Sequence, residues 1–204
     1  MPTIKNKYIK YFIILDLEGT LEITELSSVI IDENHNIIDK IQIFCKNYHV
    51  PENDFRTYVN EKYGRFGLSD KFFKECVPFW DALKIYEEWL FKNIKNDYFL
   101  FLTCGNWDLA KQIPLQCMNY GINKPSFFSR YVNIKELFTR LTNVESKGMD
   151  FMLEYYKIKL DGNHHCALDD CMNLVKLVKH MDNIINENGY DINSYYRIRV
   201  KKDY

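Results

Sequence analysis

Three apolar, β-branched runs crowd into the first 45 residues, and they constrain the fold more than anything downstream. Tyr11-Phe-Ile-Ile-Leu-Asp16-Leu-Glu18 is apolar until it ends in two acids and Gly19, as expected of a strand buried along most of its length. Leu26–Asp32 and Ile37–Cys45 read as two further strands, joined by the turn-forming Glu33-Asn-His-Asn36. Short connections make consecutive strands antiparallel neighbours, so this opening predicts a three-strand meander. The periodicity then changes. Phe79, Trp80, Leu83, Tyr86, Leu90 and Ile94 follow helical spacing. Tyr98–Thr103 predicts a second buried strand, followed by a helix through about Met118. Tyr131–Ile134 predicts a short strand, with helical segments over 135–141 and 147–157. Cys166 to about Glu187 is the longest helix candidate. A meander followed by alternating helices and strands predicts an α/β fold, with a mixed sheet of antiparallel and parallel strands flanked by helices. Residues 46–78, broken by Pro51, Gly64, Gly67 and Pro78, read as irregular. Residues 190–204 read as a basic tail carrying Arg197, Arg199, Lys201 and Lys202.

A chain of 204 residues without a repeat or a low-complexity linker predicts one domain over 1–204, with a core of about 8–187 and a C-terminal tail over 188–204. The formal charge of −1 gives no global field to draw in a polyanion, so any nucleic-acid binding needs a local patch or bound metal ions. Six cysteines without a C-x-x-C pair predict reduced thiols and an intracellular, cytoplasmic protein, with the nucleus as the alternative. The first apolar run is too short for a signal peptide, and no stretch approaches the roughly 18 apolar residues of a membrane span. The expectation is a monomer with no membrane partner.

The acids at the end of the first strand are the first candidate site. Side chains at i and i+2 share a face, with Cα atoms about 6.6 Å apart. Two ionised carboxylates there repel by about 2.5 kcal/mol at an effective dielectric near 20, and a divalent cation between them reverses the sign. Oxygen-only ligands suit Mg²⁺ or Mn²⁺; acids at a strand end emerging into solvent are the alternative reading. Asp108 follows the second buried strand, in the first turn of the next helix, with Asn106 as its expected N-cap. There an acid also complements the helix dipole. Trp107 beside it is a core aromatic or a base-contacting one. His165 lies in the polar loop Asp161-Gly-Asn-His-His165, and Asp170 lies near the start of the long helix. A loop histidine beside a helical acid can activate water while the acid holds metal. Asp169 and Asp170 differ by about 100° around the helix, so one of the two faces the site.

Taken in order, Asp16-x-Glu18, Gly-x-Trp-Asp108 and His165-x-x-x-x-Asp170 resemble the DEDDh family of 3′→5′ exonucleases. Leu102-Thr-x-Gly-x-Trp-Asp108, Pro125-x-Phe-Phe-x-Arg-Tyr-Val-Asn-Ile-Lys135 and His165-Cys-Ala-Leu-Asp-Asp-x-x-Asn173 are similar to its ERI-type branch, whose members degrade RNA from the 3′ end. The resemblance covers residues 11–181. It implies a ribonuclease H-like fold and a two-metal mechanism, with Asp16, Glu18, Asp108 and Asp170 holding two Mg²⁺ ions that Mn²⁺ could replace. It also implies His165 as the general base and Glu18 in catalysis. Gly19, Thr20, Trp107 and His165 would cradle the terminal nucleotide. The implied partner is single-stranded or 3′-overhang RNA, with DNA as a second substrate, and the implied products are nucleoside 5′-monophosphates.

The branch usually carries a Leu-Thr-Gly-Ile-Thr-type segment where this chain has Lys62-Tyr-Gly-Arg-Phe-Gly-Leu-Ser69, which leaves the RNA-versus-DNA preference open. Lys62, Arg65, Lys71, Lys74 and the basic tail are candidate phosphate contacts. The expectation is also that no additional N-terminal nucleic-acid-binding domain is present. Two other functions fit parts of the pattern. A haloacid dehalogenase-type phosphatase would use Asp16 as nucleophile and Asp169-Asp170 on Mg²⁺, but it leaves Trp107, Asp108 and His165 unexplained. A non-catalytic RNA-binding module on the same fold would bind 3′ ends without turnover.

Overall fold

The computed structural model describes residues 8–20, 22–95, 97–197 and 199–202. Its centre is β1 (Tyr11–Gly19), whose side chains from Phe12 to Leu15 are all buried. The meander predicted from the opening runs is present: β1 pairs antiparallel with β2 (Ile23–Asp32), and β2 with β3 (Ile37–Lys46). On the other side of β1, β5 (Phe99–Thr103) and then β6 (Arg130–Asn133) add in parallel. Two-residue strands complete both edges, β4 (Val77–Pro78) beside β3 and β7 (Lys201–Lys202) beside β6. The seven strands run in the order β4-β3-β2-β1-β5-β6-β7.

Because alternate residues of a strand face opposite sides, β1 feeds two cores. Phe12 and Ile14 pack with α5 (Ile134–Thr142), α6 (Met149–Tyr155) and the long α7 (Ala167–Glu187). Ile13, Leu15 and Leu17 pack with α3 (Phe79–Ile94) and α4 (Ile113–Asn119) on the opposite face. Asp16 and Glu18 follow Phe12 and Ile14 in phase, so they emerge on the α7 side, at the carboxyl end of the strand. That end of an α/β sheet, beyond the strand termini, is where ligand-binding loops gather.

Two stretches differ from the sequence reading. Residues 46–78 are not irregular: α1 (Glu52–Gly64) and α2 (Ser69–Glu75) occupy them. Phe55, Val59 and Tyr63 form a one-sided strip at four-residue spacing and bury against Phe44 and Phe72, a third small core. Pro51 and Gly64, read as breaks, lie at the two ends of α1, where proline and glycine are tolerated. The second stretch is the supposed tail, which contains α8 (Ile192–Arg197) with Tyr195 and Tyr196 buried. Asn193 ties it to the start of the sheet, its amide oxygen accepting from Ile9 N at 2.5 Å and its NH₂ donating to Ile9 O at 3.3 Å. Residues 203–204 lie outside the described residues. No described helix is long and apolar enough to cross a membrane.

Candidate active site

The antiparallel register of β1 and β2 places Asp16 opposite Ser27 and Glu18 opposite Glu25, all beneath the first turn of α7. Asp170 arrives from that turn. The residue is only 5% exposed, and its carboxylate accepts the backbone N–H of His165 at 3.0 Å on Oδ2 and faces His164 Nδ1 at 3.1 Å on Oδ1. Asp16, Glu18 and Asp170 each offer a carboxylate oxygen within 4.8 Å of the other two. His164, His165 and Asp170 form a second such group sharing the same acid.

Asp169 is not part of this cluster. One step round the helix, it accepts Asn163 N at 2.8 Å and braces the loop before α7. Gly162 in that loop has φ of +74°, and a Cβ there would lie 2.5 Å from the Asp169 carboxyl carbon. Asp169 therefore shapes the loop and Asp170 faces the site, as the helical geometry required of one of them.

Asp108 enters from the far side of β1. It opens a single π-turn, Asp108–Gln112, in which Ile113 N bonds to Asp108 O. Such turns are often found at functional sites because the extra residue re-aims the side chains. Asn106 does not cap the turn with its side chain; its Oδ1 instead accepts from Asn133 Nδ2 at 3.2 Å. Asp108 is not one of the three mutually close oxygens, yet its charge is felt. Burial, followed by the charges of Asp108, Glu18, Asp170 and Glu25, holds the Asp16 carboxyl well above the usual carboxylate range. Burial and then Glu18 push Asp108 up to about 7. Closely packed carboxyls that resist ionisation in this way are typical of functional clusters.

His165 sits at the mouth with its side chain 60% exposed and Nδ1 3.8 Å from Glu18 Oε1. Its φ of +70° lies in the left-handed region, held by the N–H bond to Asp170, and its ring stacks on His164 at 3.9 Å. Gly19 is forced to be glycine: φ is +148°, and a Cβ would sit 1.9 Å from Glu22 O. Thr20 is exposed just beyond it, and Trp107 stands 61% exposed at the rim rather than in the core.

Three residues near the site had no assigned role at this position in the sequence reading. His164 shares Asp170. Lys62, treated as a candidate phosphate contact, instead reaches in from α1 and donates to Glu18 Oε2 at 2.5 Å. Glu25, fully buried, accepts from Gln42 Nε2 at 2.9 Å, Ser27 Oγ at 3.0 Å and Leu168 N at 3.3 Å, all on Oε1. It thereby ties β2 to the first turn of α7, while its Oε2 has no partner among the described residues. The available signal for Glu25 was an acid inside the β-branched run Ile23–Ile31, which the structure sets directly across from Glu18. The phosphatase alternative expects late acids at the end of a buried strand, whereas Asp169 and Asp170 sit on a helix after a polar loop.

The RNase_T exonuclease family model matches residues 12–178. The chain is 31% identical to an exonuclease domain-containing protein of Arabidopsis thaliana over 87% of its own length and 55% of the relative's. It is 26% identical to human 3′-5′ exoribonuclease 1, covering 86% of this chain and 53% of that one. It thus spans about half the length of these curated relatives. Among solved structures, the nuclease domain of 3′hExo, described as a DEDDh family member bound to rAMP, superposes with a TM-score of 0.72. That match has 23% identity and covers 86% of this chain and 93% of the other. The mixed sheet with flanking helices is accordingly the ribonuclease H-like fold.

Proposed function

The chain belongs to the RNase_T exonuclease family, and from that premise we propose that it is a divalent-metal-dependent 3′→5′ exonuclease of the DEDDh, ERI type. Its substrate in this reading is RNA with a free single-stranded or overhanging 3′ end, with DNA as a second substrate, and its products are nucleoside 5′-monophosphates. One observation carries the proposal: Asp16, Glu18 and Asp170 bring three carboxylate oxygens within 4.8 Å of one another, beside an exposed histidine.

The donor set fits hard divalent cations. It is all oxygen, it is partly withdrawn from water, and two members, Asp16 and Asp108, have carboxyls that resist ionisation without a positive charge nearby. Asp16, Glu18, Asp108 and Asp170 are the residues that would hold two Mg²⁺ ions, with Mn²⁺ as a substitute. When bound, such ions polarise the phosphoryl oxygens and lower the pKa of water.

The protein's own groups divide the remaining work. In this reading His165 takes the proton from the attacking water; its backbone is held by Asp170, and its ring, stacked on His164, stays largely exposed at the mouth. Trp107 offers an exposed indole face on which a terminal base can stack. Gly19 lets the chain turn tightly beside Glu22, leaving backbone rather than side chain next to Thr20.

The test incubates purified protein with 5′-labelled single-stranded RNA and DNA, in Mg²⁺ or EDTA, beside an Asp170→Asn variant. The expected result is a ladder shortening from the 3′ end, in Mg²⁺ only and absent in the variant. No ladder, or one that survives both EDTA and the substitution, would sink the proposal.

A further inference from the structure

Lys62 makes the shortest contact of the carboxylate cluster, 2.5 Å from Nζ to Glu18 Oε2, and both side chains are nearly closed off, 14% and 13% exposed. The contact is built into the fold rather than made by a loose surface lysine. The next residue, Tyr63, is fully buried and donates its hydroxyl to Thr24 Oγ1 at 2.9 Å. Thr24 in turn donates to the Glu18 carbonyl at 3.1 Å. The end of α1 is thus fastened to the end of β1, and Lys62 is carried to Glu18 by that fastening. Phe55 and Val59 anchor the rest of α1 in its own small core.

Glu18 is also one of the three mutually close carboxylates, and its other oxygen faces His165 Nδ1 at 3.8 Å. A divalent cation placed among Asp16, Glu18 and Asp170 would draw on the carboxylate that the ammonium already neutralises. Two cations sharing one carboxylate repel strongly where water is largely excluded. Resting on the metal-site reading above, we propose that Lys62 is a displaceable counter-ion. It holds Glu18 in the metal-free protein and yields it to the metal, which raises the metal concentration at which the site assembles.

The test is calorimetric titration of the full chain with Mn²⁺ alone, comparing wild type, Lys62→Met and Lys62→Arg. Removing a competing ion pair that is largely withdrawn from water should tighten Mn²⁺ binding about fivefold or more in the methionine variant. The arginine variant, which keeps the cation, should stay near wild type. Thermal melting adds a readout independent of activity. Lys62→Met should lower the melting temperature in EDTA, where the carboxylates lose their counter-ion, and leave it unchanged in saturating Mn²⁺. Unchanged or weaker Mn²⁺ binding in Lys62→Met would overturn the proposal, as would an equal loss of melting temperature with and without metal. Absence of Mn²⁺ binding to the wild type would instead overturn the metal-site reading on which the proposal stands.

Discussion

The metal-free protein should lose stability as pH rises through neutrality, and Asp108 allows the size of the loss to be worked out. Its carboxyl moves from 3.8 to about 7 on folding, because of burial and then the charge of Glu18. A carboxyl raised in this way binds its proton more tightly when folded. Its contribution is therefore fully present below the unfolded value and is lost as pH climbs through the folded one. Integrating the proton-binding difference from about pH 5.5 to about pH 8 gives a loss of about 2 kcal/mol from this group. Asp16, raised in the same direction, adds to it. Acids held low by partners, such as Asp32 and Asp161, contribute a constant across this window and lose their effect only in stronger acid. The assay is urea unfolding in EDTA at both pH values, followed by tryptophan fluorescence, for wild type and Asp108→Asn. The amide cannot ionise, so the variant should lose about 2 kcal/mol less across the interval. Saturating Mg²⁺ should flatten the wild-type dependence. A wild-type stability that is level or rising over the interval in EDTA, or a variant with an undiminished slope, would refute the electrostatic account of the cluster.

Other substitutions separate chemistry from architecture. His165→Ala should lower kcat by about 10²–10⁴-fold, and its unfolding free energy should stay within about 0.5 kcal/mol of wild type because the side chain is largely exposed; steady-state cleavage and urea titration measure the two. Trp107→Ala should raise KM for oligonucleotides by the loss of a stacking contact worth about 1–3 kcal/mol, with the melting temperature unchanged. Tyr196→Phe removes the donor that reaches the fully buried Asp182 at 2.8 Å. It should cost about 1–3 kcal/mol in urea unfolding and leave activity per folded molecule intact.

The sheet was legible because its signals were local. The runs of β1, β2 and β3 and the helical spacing of Phe79–Ile94 are written in consecutive residues and reappear with nearly the same bounds. What failed to read depended on partners far along the chain. The strip Phe55, Val59 and Tyr63 is too sparse to stand out among polar neighbours, and it becomes a helix face only against Phe44 and Phe72. Tyr195 and Tyr196 looked like part of a basic tail until Asn193 and Asp182 supplied their anchorage. In the site, the choice of Asp170 over Asp169 followed from helix geometry together with the motif order. Glu25 was missed because β2 was begun at Leu26, whereas it starts at Ile23 and brings Glu25 across from Glu18. Lys62 could not be paired with Glu18 without α1, and α1 was not recognised.

The gathered acids explain why the surrounding fold is so firmly built. Asp16, Glu18, Glu25, Asp108 and Asp170 crowd the end of one strand pair, with the Lys62 ammonium in direct contact with Glu18. Repulsion and desolvation both oppose that arrangement, against which the site itself sets the Lys62 contact to Glu18 and the hydrogen bonds to Asp170 and Glu25. It persists because each acid is carried by an element held elsewhere. Asp16 and Glu18 extend a strand packed on both faces, Asp170 lies in the first turn of a 21-residue helix buried along one side, and Asp108 follows the parallel strand next to β1. The stability of two cores is therefore imposed on a cluster that is unfavourable by itself. A sequence selected for stability alone would place neutral or apolar groups there, and conflict of this kind between local electrostatics and global packing is the mark of a functional site. Divalent cations relieve the conflict most directly, and the same reasoning gives Lys62 its place as the partial relief available before they bind.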